Sequence, residues 1–187
     1  VHTHPSSHAG YYPGAEQIHL KLLFDLESGQ IYGAQAVGGS GTDKRIDVLA
    51  TALHADLRAY DLADLPLAYA PPFSSAKDPV NMLGYVAGNI MDGLSKTIQW
   101  HEVDREGALL IDVREPHEFA AGTIPGARNI PLPNLRDHID ELRGHAVTVF
   151  CQVGVRGHNA AMLLNGEGID TVNVDGGYLT WVAGQRA

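Results

Sequence analysis

A short, largely apolar run, Val147-Thr148-Val149-Phe150, ends on Cys151 and continues into Gln152-Val153-Gly154-Val155-Arg156-Gly157. An apolar run of this length with a glycine-bearing loop behind it reads as a buried strand. The stretch from Val155 to Asn165 reads as the helix that carries the chain away. Strand, tight loop and helix in that order turn successive backbone N–H groups, and the positive end of the helix, toward one side chain. Here that side chain is the only cysteine among 187 residues. Such a nest stabilises a thiolate or an anionic sulfur species. A structural core cysteine would need neither the glycine nor the arginine.

Cys-x-x-Gly-x-Arg after a strand resembles the active-site loop of rhodanese domains. Upstream, Leu110-Ile111-Asp112-Val113-Arg114-Glu115-Pro116-His117-Glu118-Phe119 is similar to that family's D-V-R-E-x-x-E-[FY] motif. Gly122-Thr123-Ile124-Pro125-Gly126-Ala127-Arg128-Asn129-Ile130-Pro131 resembles its G-H-I-P-G-A-x-N-I-P, and Asn173-Val174-Asp175-Gly176-Gly177-Tyr178-Leu179-Thr180-Trp181 its L-x-G-G-x-x-x-W. The four motifs fall in the family's order. Thr123 stands where the family usually has His, and Gly157 where Ser or Ala is usual; neither position is the nucleophile. The resemblance implies a Cys151 persulfide, with the loop Gln152, Val153, Gly154, Val155 and Gly157 offering amides to its charge. Arg156 either adds positive charge beside the thiolate or braces the loop. Asp112 and Arg114 are expected as a structural pair beneath it. Glu115 and Glu118 fall in a first helical turn, where acids suit the dipole, or are solvated surface. His117 and His158 are candidates for the mouth of the site, or bystanders.

Loop length separates two chemistries. Tyrosine phosphatases and related arsenate reductases resemble this loop but hold five residues between Cys and Arg, a bowl wide enough for a tetrahedral oxyanion. The four residues between Cys151 and Arg156 suit a single transferred sulfur. The thiolate would take the outer sulfur of a small-molecule donor and pass it to a thiol or other acceptor, a ping-pong covalent mechanism. With no second cysteine, the chain closes no internal disulfide.

The first half is a different object, and composition shifts near Asp92-Gly93. Residues 1–93 read as one domain and residues 94–187 as a second, with Gly93 to Gln99 as a linker. Strands are predicted at Glu16–Asp25 and Ile31–Val37, joined by the hairpin turn Glu27-Ser28-Gly29-Gln30. Helices are predicted at Asp43–Ala55, with Ile46, Leu49, Ala50 and Leu53 on one face, and at Asp78–Met91, with Val80, Leu83, Val86, Ala87 and Ile90. A short helical turn begins at Asp61. Its prolines make Tyr69-Ala70-Pro71-Pro72-Phe73 an extended segment by expectation. Leu22, Phe24, Ile46, Leu49 and Leu53 form an apolar face too large for so small a domain to hide, which predicts a two-fold partner.

Ile31-Tyr32-Gly33-Ala34-Gln35-Ala36-Val37-Gly38 with Asp43-Lys44-Arg45-Ile46-Asp47 resembles I-x-G-x-Q-x-x-G-x-x-x-x-x-K-R-I-D. That pattern marks the C-terminal dimerisation domain of flavin-dependent pyridine nucleotide–disulfide oxidoreductases. His8-Ala9-Gly10-Tyr11-Tyr12-Pro13-Gly14-Ala15 and the segment from Tyr69 to Asn81 are similar to the coenzyme A disulfide reductase and NADH oxidase branch. A subset of that branch carries a C-terminal rhodanese domain. The resemblance implies a homodimer and, for a longer parent protein, FAD, NAD(P)H and CoA. It also implies that Tyr11 and Tyr69 reach the partner's flavin and thiol site; both tyrosines fit equally as interface packing. The chain has no Gly-x-Gly-x-x-Gly opening a βαβ unit, lacks the flavin-side cysteine and does not start with Met. It therefore reads as the C-terminal fragment of that parent, with no cofactor expected within it.

The net charge of −9 argues against nucleic acid and anionic membranes as partners. No apolar run approaches the roughly 18 residues of a membrane span. A lone cysteine without a visible signal peptide fits a reducing compartment, the cytoplasm. His2, His4 and His8 match no familiar ligand spacing, so no metal is expected. The fold class is α/β: an α+β oxidoreductase dimerisation domain, then a rhodanese-like parallel sheet flanked by helices. The expected function is rhodanese-type sulfur transfer within a flavin-dependent reductase of CoA disulfide, persulfide or polysulfide, with a sulfur donor and a thiol acceptor as small-molecule partners. The alternative is a non-catalytic dimerisation and docking fragment of an FAD/NAD(P)H disulfide oxidoreductase.

Overall fold

Alternation in His19-Leu20-Lys21-Leu22-Leu23-Phe24 turns Leu20 and Leu22 inward and Lys21 and Leu23 outward. This is strand β2 (His19–Phe24), the centre of an antiparallel sheet with β1 (His2–Thr3) and β3 (Ile31–Val37). The computed structural model describes residues 1–186, which divide into a unit Val1–Asp92 and a second beginning at Gly93. In the first unit, helices α1 (Thr42–His54), α2 (Asp61–Asp64) and α3 (Pro79–Met91) pack with the sheet around Leu20, Leu22, Leu49, Leu62 and Leu83. Burying each such side chain contributes about 1.5–3 kcal/mol. Asp78 caps α3 by accepting from the Val80 N–H, Asn81 accepts from the Asp78 N–H, and Pro79 fills the first helical position.

Four sequence expectations change here. Helix α1 buries Arg45, Leu49 and Ala52 instead of the face Ile46, Leu49, Ala50 and Leu53, and Leu53 is 43% exposed. The cause is electrostatic: the buried Arg45 guanidinium pairs with Asp78, Nη2 to Oδ2 at 3.0 Å, so the helix turns its arginine inward where hydropathy alone would send it to water. Leu22 and Leu49 lie inside the unit's own core, and the exposed apolar residues include Leu23 and Val37 on the sheet's outer face, with Tyr32 beside them in the chain's hairpin. Pro71-Pro72-Phe73 forms a turn, because a fixed proline φ also suits a turn's first corner; the N–H groups of Phe73 and Ser74 donate to the Ala70 carbonyl at 2.9 and 3.0 Å. The expected linker is partly strand: Thr97–Ile98 joins the second unit's sheet, and the Lys96 carbonyl accepts from the Asn173 N–H at 2.9 Å.

The second unit is a five-stranded parallel sheet. Its strands are β4 (Thr97–Ile98), β5 (Leu109–Asp112), β6 (Arg128–Asn129), β7 (Val147–Phe150) and β8 (Thr171–Val174), in the order β4-β8-β7-β5-β6. All of β7 is buried, as a central strand covered on both faces must be. Val147 and Val149 join Ala160, Ala161 and Leu164 of α6 (Val155–Gly166) in one core cluster. Phe150 joins Ile124 and Val174 in another, against Tyr178 and Trp181 of α7 (Gly177–Gly184). Short helices α4 (Pro116–Ala120) and α5 (Ile139–Leu142) complete the unit. This is the α/β architecture expected from the sequence. The chain leaves β5 toward β6 on one side and β7 toward β8 on the other, so the winding reverses between β5 and β7. Ligands of such sheets sit outside the carboxyl ends of the strands at that reversal, and Cys151 is the residue immediately after β7. Among the described residues, no helix is long and apolar enough to cross a membrane.

Candidate active site

Cys151 is buried at the carboxyl end of β7. Gly154, with φ near +100°, bends the loop so that its N–H donates to the Cys151 Sγ at 3.2 Å. Helix α6 begins at the next residue. The amides of Val155, Arg156 and Gly157 therefore belong to the first turn, where a helix leaves its N–H groups without intrahelical acceptors. The loop is also held from behind: the N–H groups of Tyr178 and Leu179 donate to the carbonyls of Cys151 and Gln152 at 2.8 and 3.1 Å. Gly177, with φ near +65°, permits this approach, since a Cβ there would lie 2.4 Å from the Cys151 carbonyl oxygen. Gln152 and Val153 are partly exposed, and Val155 faces solvent.

Asp112 and Arg114 form a buried ion pair, Arg114 Nη2 to Asp112 Oδ2 at 2.7 Å. The remaining donors are also engaged: Arg114 Nη1 donates to Gln152 Oε1 at 2.9 Å, and Nη2 to the Gly122 carbonyl at 2.7 Å. The guanidinium also lies 4.3 Å from the centre of the Tyr178 ring, within cation–π range. The Thr123 hydroxyl, in the position where a histidine is usual, donates to Asp112 Oδ2 at 2.8 Å. A buried pair this fully hydrogen-bonded meets the condition for offsetting its desolvation, and through Gln152 it braces the loop that carries Cys151.

Glu118 is the partner that sequence reasoning missed. It holds Arg156 through two hydrogen bonds of 2.6 and 2.7 Å, a bidentate fork, while its carboxylate also accepts the Glu115 N–H at 3.0 Å to cap α4. The Arg156 hydrogen bonds outweigh burial and lower the Glu118 carboxyl to about 2. In return Glu118, and more weakly the Cys151 sulfur, hold Arg156 in its charged form against the effect of burial. The available signal was the second glutamate of the D-V-R-E-x-x-E run, but its partner lies 38 residues away. His158 turns its Nδ1 to the Ser95 hydroxyl at 3.1 Å. Asn173, which no sequence argument selected, donates Nδ2 to the Gly154 carbonyl at 3.1 Å.

In the first unit the hydroxyls of Tyr11 and Tyr69 meet at 2.9 Å, and both side chains are well exposed. Their hydrogen bond raises the Tyr69 phenol above its ordinary value. The structure thus brings these two candidates together, in a different unit from Cys151.

The fold and these sites define a two-part protein: an oxidoreductase-type dimerisation unit, then a rhodanese-type thiol loop on a parallel sheet. Residues 1–79 match the pyridine nucleotide-disulphide oxidoreductase dimerisation domain and residues 95–184 the rhodanese-like domain. The two matches lie in tandem along the chain. It is similar to reduced CoADR-RHD of Bacillus anthracis, at 53% identity and TM-score 0.94, over 97% of this chain and 33% of that one. It is also similar to a NAD-dependent persulfide reductase from A. fulgidus, at 38% identity and TM-score 0.87, over the same shares of 97% and 33%. A coenzyme A disulfide reductase of Staphylococcus haemolyticus is 46% identical over 90 residues, which is 48% of this chain and 20% of that protein. The chain therefore spans about a third of the length of these solved relatives and a smaller share of the curated one.

Proposed function

We propose that the second unit is a rhodanese-type sulfurtransferase working through a persulfide on Cys151. The observation that carries this reading is the Gly154 N–H on the Cys151 sulfur at the head of α6. The Cys151 thiolate attacks the outer sulfur of a donor persulfide. The donor S–S bond breaks, its electron pair leaves on the donor thiolate, and Cys151 keeps the sulfur as a persulfide anion. An acceptor nucleophile then attacks that terminal sulfur, the Cys151 S–S bond breaks, and the thiolate is restored. The amides of Gln152, Val153, Gly154, Val155 and Gly157 would act on the persulfide charge as oxyanion-hole donors do. Arg156, clamped by Glu118, would brace the loop and add positive charge beside the sulfur, while Asp112 and Arg114 hold Gln152 from beneath.

For the longer protein, the relatives described as coenzyme A disulfide reductase and persulfide reductase support a coenzyme A-linked disulfide or persulfide as partner of this sulfur. FAD and NAD(P)H would supply the electrons there. Within this chain Tyr11 and Tyr69 would present their hydroxyls to the reacting sulfur across a homodimer, with Leu23, Tyr32 and Val37 available to its interface. The compartment that suits this chemistry is the cytoplasm.

The test is thiocyanate production from cyanide with thiosulfate or an alkyl persulfide as donor. Turnover by the wild-type chain and none by Cys151→Ser is the expected result. Turnover that survives in the serine variant would overturn it. Sedimentation as a strict monomer at high concentration would count against the homodimer.

A further inference from the structure

Asn173 lies on β8 beneath the loop, buried, and registers with Val149 of β7. Its Nδ2 donates to the Gly154 carbonyl at 3.1 Å, but its Oδ1 is enclosed with no hydrogen-bond partner among the described residues. An unpaired buried acceptor is costly, and an apolar residue of similar size would avoid it. The useful end of this side chain is therefore the donor. The Gly154 carbonyl is held twice, by Asn173 Nδ2 and by the His158 N–H at 2.8 Å. A trans peptide group is planar, so its carbonyl and its N–H point in opposite directions. Pinning the Gly154 carbonyl toward Asn173 thus aims the Val155 N–H the other way, out of the helix start toward the loop where the Gly154 N–H meets the sulfur.

We propose that Asn173 is a positioning residue for the sulfur cradle: it fixes the peptide between Gly154 and Val155 so that the Val155 N–H faces the terminal sulfur. The role of that sulfur rests on the sulfur-transfer reading. The same side chain accounts for Gly157, where a Cβ would lie 2.1 Å from Asn173 Oδ1, so a larger residue at 157 would push the Asn173 amide from its place.

Asn173→Ala removes the donor and leaves a hole. Asn173→Ala combined with Gly157→Ala removes the donor and refills part of the space. Both variants of the whole chain are assayed for thiocyanate production, donor KM and alkylation of Cys151 by iodoacetamide at neutral pH. The double variant should melt within about 2 °C of wild type. Its kcat and its alkylation rate should each fall about 10-fold or more, as when an oxyanion-hole donor is lost, with donor KM little changed. A folded double variant with wild-type kcat and alkylation rate overturns the proposal. Unfolding of both variants overturns it too, because Asn173 would then hold the sheet and not the loop. If the wild-type chain transfers no sulfur, the functional reading falls, and the alkylation rates alone still decide whether Asn173 shapes the cradle.

Discussion

Replacing Gly177 with alanine probes how the loop around Cys151 is supported. The new Cβ would lie 2.4 Å from the Cys151 carbonyl oxygen, 2.9 Å from the Gly154 nitrogen and 3.0 Å from the Gln152 carbonyl carbon. Two effects add. Holding an L-residue at φ near +65° costs about 1–2 kcal/mol. Forcing the neighbours apart is overpacking, about 1–3 kcal/mol, and all three neighbours are main chain, with no flexible tip to swing aside. The expected loss is therefore about 2–5 kcal/mol. Gly168→Ala is the matched control: φ is near +78° but nothing lies within 4 Å, so only the first effect operates. Trp100 and Trp181, the chain's two tryptophans, both lie in the second unit, so urea unfolding followed by tryptophan emission reports that unit. Gly177→Ala should lose about 1–3 kcal/mol more than Gly168→Ala and should slow transfer to cyanide, while the control keeps its rate. Equal losses in the two variants, with equal rates, would refute the argument that α7 seats the loop by close backbone contact.

Inserting one glycine between Val153 and Gly154 restores the phosphatase spacing; transfer to cyanide should fall about 10²-fold or more with folding retained, and a folded variant at wild-type rate would make loop length incidental. Glu118 has a folded value of about 2 against an ordinary 4.5, so its contribution is fully present above about pH 4.5 and is lost as pH falls toward 2. The ceiling is about 3 kcal/mol. Water around a side chain 23% exposed cuts this to about 1–2 kcal/mol. The stability gap between wild type and Glu118→Gln should therefore narrow between pH 5 and pH 3 in urea titrations, and a gap that holds constant would contradict the assignment. Asp78→Asn leaves the buried Arg45 charge uncompensated and should cost the first unit about 3–5 kcal/mol by calorimetry; a loss under 1 kcal/mol would show that water reaches the pair.

What could be read from the sequence was local. Val147–Phe150, the glycine after Cys151 and the start of α6 at Val155 follow from residues within a few positions of one another. So do the hairpin into Ile31–Val37 and the capped start of α3 at Asp78. What was hidden depends on register between distant segments. Arg156 finds Glu118 only because the loops after β7 and β5 lie side by side at the winding reversal, and Asn173 reaches Gly154 only through the pairing of β8 with β7. Arg45 shows the converse failure: a hydropathy pattern cannot register that a charge is buried when its counter-charge stands 33 residues away. Strand β4, two residues long, is too short to carry any periodicity.

The support for the cysteine loop also arrives last in time. The amides of Tyr178 and Leu179, which seat the Cys151 and Gln152 carbonyls, follow the loop in the chain. Strand β4, which opens the sheet, pairs with β8, which closes it, and the Gln99–Asp175 bond at their ends joins residues 76 apart. A chain leaving the ribosome at about 5–20 residues per second displays its thiol segment for a time on the order of seconds before those supports exist. During that time Cys151 stands beside an unfinished sheet. A product cut short before Tyr178 would carry the cysteine without the amides that seat its loop.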